Sequence, residues 1–424
     1  MSTSDASEQK GRRSQRWKPL AAFTLAIAAV NGQTSTPAGA ESLEKCASTP
    51  VRKEIRSLST SEWQAYRTAV NQAQEQGWND WFGWMHDQVA GPIHGNAKFL
   101  VFHRRFIADY EQILQRYNPS VAIPYWNALV DYQQPAASSV LGDDYFGKDG
   151  DAGSECVTSG IAGSWSYKLS TTTCLMRKFN GGNGAINSWY SPEYMTSLLQ
   201  TTTDYADLRN KIENSLHGAV HLAINGAMST MYSPVDPVFW IHHSNIDRLY
   251  AQWQAVSPGE RTFMYTGVDG DKKPPIYSVM RLGFGKQASG DANKLSSNGN
   301  LRKRSAQKCG QRDYAQQLVK QLPKEVVGKF FPKFAAGNSH PLENELTTLS
   351  PLKPMAADGE KPFHSKQACE SHRGKMPAPP KLTPDWLKMQ GACTEEVAKL
   401  EADAKSFVDS LNKASYLSPY LVHD

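Results

Sequence analysis

The sequence predicts a mainly α fold: a four-helix bundle with long irregular loops and a C-terminal extension. Three observations predict it. Four segments carry apolar residues at helical spacing. The stretches between them are rich in Gly, Ser, Thr and Asp. Seven of the 11 histidines fall in two short stretches on or beside those segments, which gives the bundle an interior of unusual chemistry.

The elements follow in chain order. Arg12, Arg13, Arg16 and Lys18 form a basic region, Leu20 to Val30 is a short apolar run, and Ala38-Gly39-Ala40 offers a small-residue cleavage site. Residues 1–40 therefore read as an export signal, and the run is too short to span a bilayer. Ser61 to Gly77 reads as the first helix, started by Ser61 and Glu62, with Trp63, Tyr66, Ala69, Val70 and Ala73 on one face. Asn96 to Tyr117 is the second, with Phe99, Leu100, His103, Phe106, Ile107, Tyr110, Ile113 and Leu114 on a wide face; His86 and His94 are placed in the loop before it. Ser120 to Asp131 reads as irregular and residues 132–200 as loops. Asp204 to Ile224 is the third helix, carrying Leu208, Ile212, Leu216, Val220 and Ile224. Asp236 and Pro237 cap and start the fourth, which runs to about Val256. After Gly285 the composition turns polar. Gln287 to Gln307, with the dibasic pair Lys303-Arg304, reads as a linker. Two helical stretches follow, near Asp313 to Leu322 and Thr394 to Leu411. The expected organisation is an export signal over 1–40, a helical domain over 41–286, and a linker with extension over 287–424.

A net charge of +5 over 424 residues is modest. The basic residues do not interleave with aromatics as a nucleic-acid groove would require, so nucleic acid is excluded as a partner. No later stretch reaches transmembrane length, so no stable membrane anchor is expected. The six cysteines form no CxxC pair, which fits disulfides in an oxidising compartment better than a thiolate metal site. Cys156 with Cys174 would close a local loop; Cys309, Cys369 and Cys393 lie in the extension, and the pairing stays open. The sequence sets no oligomeric state.

Six of the seven clustered histidines can be arranged as two sets of three. His86, His94 and His103 form the first. His217 and His221 lie four apart on a predicted helix, so they share a face and can grip one ion. His243 arrives from the next helix; its neighbour His242 is expected about 100 degrees away on that helix. Two all-imidazole sets, with no carboxylate or thiolate among them, suit copper among few other metals.

The run from His94 through Phe99-Leu100-Val101-Phe102-His103-Arg104, with Glu111 beyond it, resembles the first copper signature of the tyrosinase family. Asp236-Pro237-Val238-Phe239-Trp240, His243 and Asp247 resemble the second. The resemblance covers roughly residues 46–256 and is to the secreted fungal-type tyrosinases and catechol oxidases. It implies a bundle holding a dicopper centre of two copper ions, one on His86, His94 and His103 and one on His217, His221 and His243. It also implies dioxygen and small phenols as partners, with o-diphenols oxidised to o-quinones.

Two departures from the family pattern bear on substrate choice. No cysteine lies between Cys46 and Cys156, so the thioether that many members carry on the second ligand of the first copper is not expected. Gly218 stands where monophenol-hydroxylating members often have Asn, which with a nearby Glu orients a water. Glu213, one turn before His217, is the candidate for the Glu role. Diphenol oxidation is therefore expected over monophenol hydroxylation. Met231, in the loop after His221, and Leu222 are candidates for the substrate pocket. Phe99, Phe102, Phe239 and Trp240 are either shields of the site or core residues, and Asp247 with Arg248 either a buried ion pair or a solvated one. The alternatives are a full tyrosinase, a haemocyanin-like dioxygen carrier and a structural zinc bundle.

Overall fold

The computed structural model of the protein describes residues 51–267, 325, 328, 329, 375–416, 418 and 420. The export segment, the linker with Lys303-Arg304, the stretch near Asp313 to Leu322, Cys46, Cys309, Cys369, His340, His364, His372 and His423 lie outside the described residues. Among those described, no helix is long and apolar enough to cross a membrane.

The fold is mainly helical. Helix α1 spans Thr60–Glu75. It starts at Ser59 rather than Ser61, because Ser59 has a glutamate three residues on. The Ser59 N–H donates to Glu62 at 2.8 Å and the Glu62 N–H donates to Ser59 Oγ, a closed capping box. Its apolar face is buried as the spacing predicts.

Helix α2, Trp78–Ile93, was expected to be a loop. Gly83, Gly91 and Pro92 argue against a helix there. The buried positions Phe82, His86, Ala90 and Ile93 nevertheless recur at helical spacing. Gly83 is tolerated because the segment before α7 presses on it: a Cβ there would lie 2.5 Å from Val235 Cγ1. Helix α3, Lys98–Tyr117, follows with its predicted face buried.

The loop-rich stretch holds a hairpin, β1 (Ser166–Lys168) against β2 (Thr172–Cys174), antiparallel with Tyr167 opposite Thr173. A Cys156–Cys174 disulfide closes the local loop. It also holds a helix that the loop reading passed over, α4 (Pro192–Thr201), capped by Ser191 with Pro192 in its first turn.

The segment expected as one helix from Asp204 to Ile224 is broken. Helix α5, Tyr205–Ile212, is capped by Asp204. A π turn follows over Glu213–His217, with Asn214 and Ser215 outside helical backbone geometry, and then α6, Gly218–Ile224. The Asn214 amide donates to the Asn210 carbonyl at 3.0 Å and the Ser215 hydroxyl to Met195 Sδ. Side-chain bonds of this kind compete with the helical ladder, and wide turns recur at functional sites.

Helix α7 spans Val238–Val256 and α8 Pro258–Arg261. The Val238 N–H donates to the Asp236 carboxylate at 2.9 Å. That carboxylate also takes two 2.8 Å bonds from Arg177, and both side chains are fully buried. Arg177 donates onward to the Phe146 and Gly147 carbonyls. The start of α7 is thereby fastened to the loop region. Asp247 pairs not with Arg248 but with Arg52 at 3.2 Å and with Arg104; Arg248 lies over the Tyr125 ring.

The extension contributes α9, Pro384–Gln390, and α10, Thr394–Lys413. Helix α10 packs against α4 and the π turn. Its Phe407 and Leu411 join the same core as Trp126, Trp189, Trp240 and Trp253. The bundle around the histidines is thus α2, α3, the α5–π–α6 segment and α7, with α1 packed outside against α2 and α3.

Candidate metal centre

Seven histidines spread from position 86 to position 243 of the sequence are gathered by the fold. His86 comes from the middle of α2, His94 caps its C-terminus, and His103 sits in the second turn of α3. Their ligating nitrogens lie within 4.8 Å of one another. His217 ends the π turn, His221 is on α6, and His242 and His243 are on α7. Those four also lie within 4.8 Å of one another. The two groups adjoin: the His103 and His243 rings stack with centroids 4.4 Å apart.

Five of the rings are oriented by the main chain. The Nδ1–H of His86 donates to the Met231 carbonyl at 2.5 Å, that of His94 to Ala90 at 3.0 Å, and that of His103 to Phe99 at 2.8 Å. The Nδ1–H of His217 donates to Glu213 at 3.1 Å and that of His221 to Met228 at 2.6 Å. A carbonyl only accepts, so each bond fixes the proton on Nδ1 and leaves a lone pair on Nε2. Second partners of this kind are what metal-ligating imidazoles use. His86 and His103 then face each other, Nε2 to Nε2, at 3.2 Å. With both protons committed elsewhere, neither can donate, and the lone pairs repel unless a cation lies against them. His217 Nε2 is buried with no hydrogen-bond partner. The donor set therefore fits metal ions.

Burial adds to this. All seven rings are at most 5% exposed. Desolvation holds every one below the ordinary imidazole value, His86 and His221 at about 4 and the others well below it. Neutral imidazole, the form that ligates, is thus the form the fold selects.

His242 departs from expectation. Instead of pointing away, it brings a ring nitrogen among those of His217, His221 and His243. Its ring stacks on that of His217 at 5.7 Å. The π turn packs against α7, so the one-residue rotation still leaves the ring facing the set.

Among the aromatics, Phe239 contacts His243 at 4.2 Å and Phe99 contacts His217 at 4.7 Å. Phe102 lies 5.3 Å from His103. Trp240 stacks on Tyr110 at 3.8 Å and belongs to the core rather than the centre's lining. Glu213 is buried, and burial raises its carboxyl above the usual range against the opposing pull of Arg209. Its Oε1 accepts from the Gly95 N–H at 2.8 Å and its Oε2 from Arg209 at 3.0 Å. It therefore ties the turn of the second set to the loop of the first. Met231 serves the centre through its carbonyl, on His86.

Gly218 and Leu222 meet the extension. Leu222 packs against a cluster formed by Leu382, Trp386, Leu387 and Val397. The Trp386 ring stands 5.4 Å from that of His221 and 6.1 Å from that of His217. Neither Trp386 nor the carbonyls of Met228 and Met231 were singled out from sequence. A carbonyl leaves no mark in a sequence, and a tryptophan in a helical tail reads as ordinary core.

The comparisons with known proteins agree with this geometry. The family model described as the common central domain of tyrosinase matches residues 66–256. The tyrosinase of Streptomyces antibioticus is 32% identical over 233 residues, 49% of this chain and 84% of that one. Tyrosinase ustQ of Aspergillus flavus is 32% identical over 246 residues, 52% of this chain and 68% of that one. A solved polyphenol oxidase from Thermothelomyces thermophila is 23% identical, with a TM-score of 0.41 over 48% of this chain and 69% of that one. The two tyrosinases mark the chain as an oxidoreductase, and its two histidine groups could each hold a metal ion. The chain belongs to the tyrosinase family.

Proposed function

We propose that His86, His94 and His103 hold one copper ion and His217, His221 and His243 the other. We propose further that the protein uses dioxygen to oxidise o-diphenols to o-quinones, in preference to hydroxylating monophenols. The observation that carries the metal assignment is the pair of Nε2 lone pairs, on His86 and His103, 3.2 Å apart with both Nδ1 protons given to carbonyls. Two bound coppers, each a one-electron centre, would supply the two-electron change that turning a catechol into a quinone requires. The chain's residues do the rest. The neutral imidazoles leave the ions' charge uncompensated, which favours an anionic phenolate beside them. Phe99 and Phe239 keep water from the ring faces of the ligands. Gly218 has no side chain to hold a water, so the proton of a monophenol lacks an organised acceptor there, and both oxygens of Glu213 are engaged by Gly95 and Arg209.

We also read 1–40 as an export signal, 41–286 as the dicopper domain, and 287–424 as a linker with an extension that covers the pocket until the chain is cut at Lys303-Arg304. The Cys156–Cys174 disulfide supports an oxidising compartment, and Trp386 beside His217 and His221 supports the covering role.

The test is a copper titration of metal-free protein followed by assay before and after cutting at Arg304. Two ions per chain, catechol turnover that rises on cutting, and a much slower monophenol rate are expected. One ion per chain would refute the metal assignment, and equal rates on both phenols the substrate preference. Full activity before cutting would refute the covering role.

A further inference from the structure

Two glycines follow histidines where the sets meet: Gly95 after His94, and Gly218 after His217. A Cβ on Gly95 would lie 2.5 Å from the Gln390 carbonyl oxygen and 2.8 Å from that of Gly391. Gly95 also has a φ of +65°, which disfavours a side chain on its own account. A Cβ on Gly218 would lie 2.9 Å from Trp386 Nε1 and 3.0 and 3.1 Å from the two methyl carbons of Leu382. The nearest atoms at both glycines thus come from one short segment, residues 382–391. That segment is well held from its other side. Leu382, Trp386 and Leu387 are buried with Val397. The Leu382 N–H donates to Glu401 at 2.9 Å, and the Asn210 amide to Glu396 at 3.0 Å.

We propose that Gly95 and Gly218 are the seat on which residues 382–391 of the same chain dock. One glycine lies beside each histidine set, and the absence of a side chain at both sets how closely the segment approaches the centre. The inference rests on the reading that the extension covers the pocket, and gives that cover its fastening. It also gives Gly218 a second role: a larger residue there acts on the extension before it acts on any phenol. Trp386 and Leu382 are buried and packed, so they cannot yield to a new Cβ without loosening α9.

Hydrogen exchange read by mass spectrometry on the full copper-loaded chain tests this. The peptide covering 382–391 should be protected in the wild type. Its exchange should quicken about tenfold or more in Gly218→Asn and less in Gly218→Ala. Trp386→Leu added to Gly218→Ala should restore part of the protection, because the smaller side chain makes room for the Cβ. Exchange in α3 serves as the control for an intact bundle. If the Gly218 variants disturb α3, Leu382→Ala with Trp386→Ala replaces them and should release the segment, with copper content per chain as the check that both histidine sets still hold their ions. Undiminished protection in the Gly218 variants with α3 intact, or in the tail variant, would overturn the proposal. So would a release that Trp386→Leu does not reverse. Catechol turnover on the same samples judges the covering reading separately. Release without a gain in turnover upholds the seat and removes the cover; a gain without release removes the seat.

Discussion

The first histidine set stands on two regular helices, and each of its three rings gives an Nδ1 proton to a main-chain carbonyl. The second stands on a π turn, the short helix α6 and the start of α7. His217 and His221 are held in the same way, but His243 Nδ1 has no partner, and a fourth imidazole, His242, stands within reach. Phe99 and Phe239 pack against rings of both sets; only the second is also abutted by Trp386 from the extension. Similar donors are thus set in unlike mounts. The first mount leaves its rings one tautomer and little freedom. The second leaves His243 without a main-chain partner, its Nε2 lying 3.2 Å from that of His221, while Trp386 stands against the two rings that the main chain does hold.

The largest test of that contrast is metal content. His103→Ala should reduce two coppers per chain to one and bring catechol turnover to background. His243→Ala should also lose one ion, and His242→Ala should keep both. If His242→Ala loses an ion and His243→Ala keeps two, the proposed ligand of the second set is the wrong one of the pair.

The next effect is on stability and should come from the mount of the second set. Arg177→Met leaves the Asp236 carboxylate buried without its counter-ion, which costs about 3–5 kcal/mol. Urea unfolding should report that loss. A value under about 1 kcal/mol would mean that the start of α7 is not fastened there.

The smallest effect concerns pH and the extension. Glu193 on α4 is buried, and burial raises its carboxyl above the ordinary value. It faces Tyr416, whose hydroxyl donates at 3.4 Å, together with Ser418 and Ser191. The docked extension therefore favours the neutral acid. Its share of stability is complete below the ordinary value of 4.5 and is lost as pH rises through the raised one. Exchange of the 403–416 peptide should quicken over that range in the wild type and stay flat in Glu193→Gln. α3 should not respond. An identical pH profile in the two proteins would remove Glu193 from this role.

Much of the site was legible because its chemistry is local. His217 and His221 announce themselves at a four-residue spacing, and α1, α3, α7 and α10 show apolar faces long enough to outweigh boundary noise. Helix α2 was hidden because its Gly83 and Pro92 signal breaks; the close approach of Val235 explains the glycine, and the buried face of Phe82, His86, Ala90 and Ile93 carries the helix. The π turn was hidden because Leu216, Val220 and Ile224 keep helical spacing across it, so periodicity alone reads straight through. The partners of Asp247 were missed because Arg52 and Arg104 lie 195 and 143 residues away, beyond the reach of any spacing rule. The glycine seat could not be read from sequence, since it exists only where the extension meets the centre.

The carbonyls that hold five of the rings have a consequence for heredity. Ala90, Phe99, Glu213, Met228 and Met231 each serve a histidine with an atom that every amino acid possesses. An amino-acid replacement at any of these positions alters a side chain and leaves the acceptor in place. The tautomers of the centre are thus insulated from point substitution at the residues that set them, even where the side chain has a separate duty, as those of Glu213 and Phe99 do.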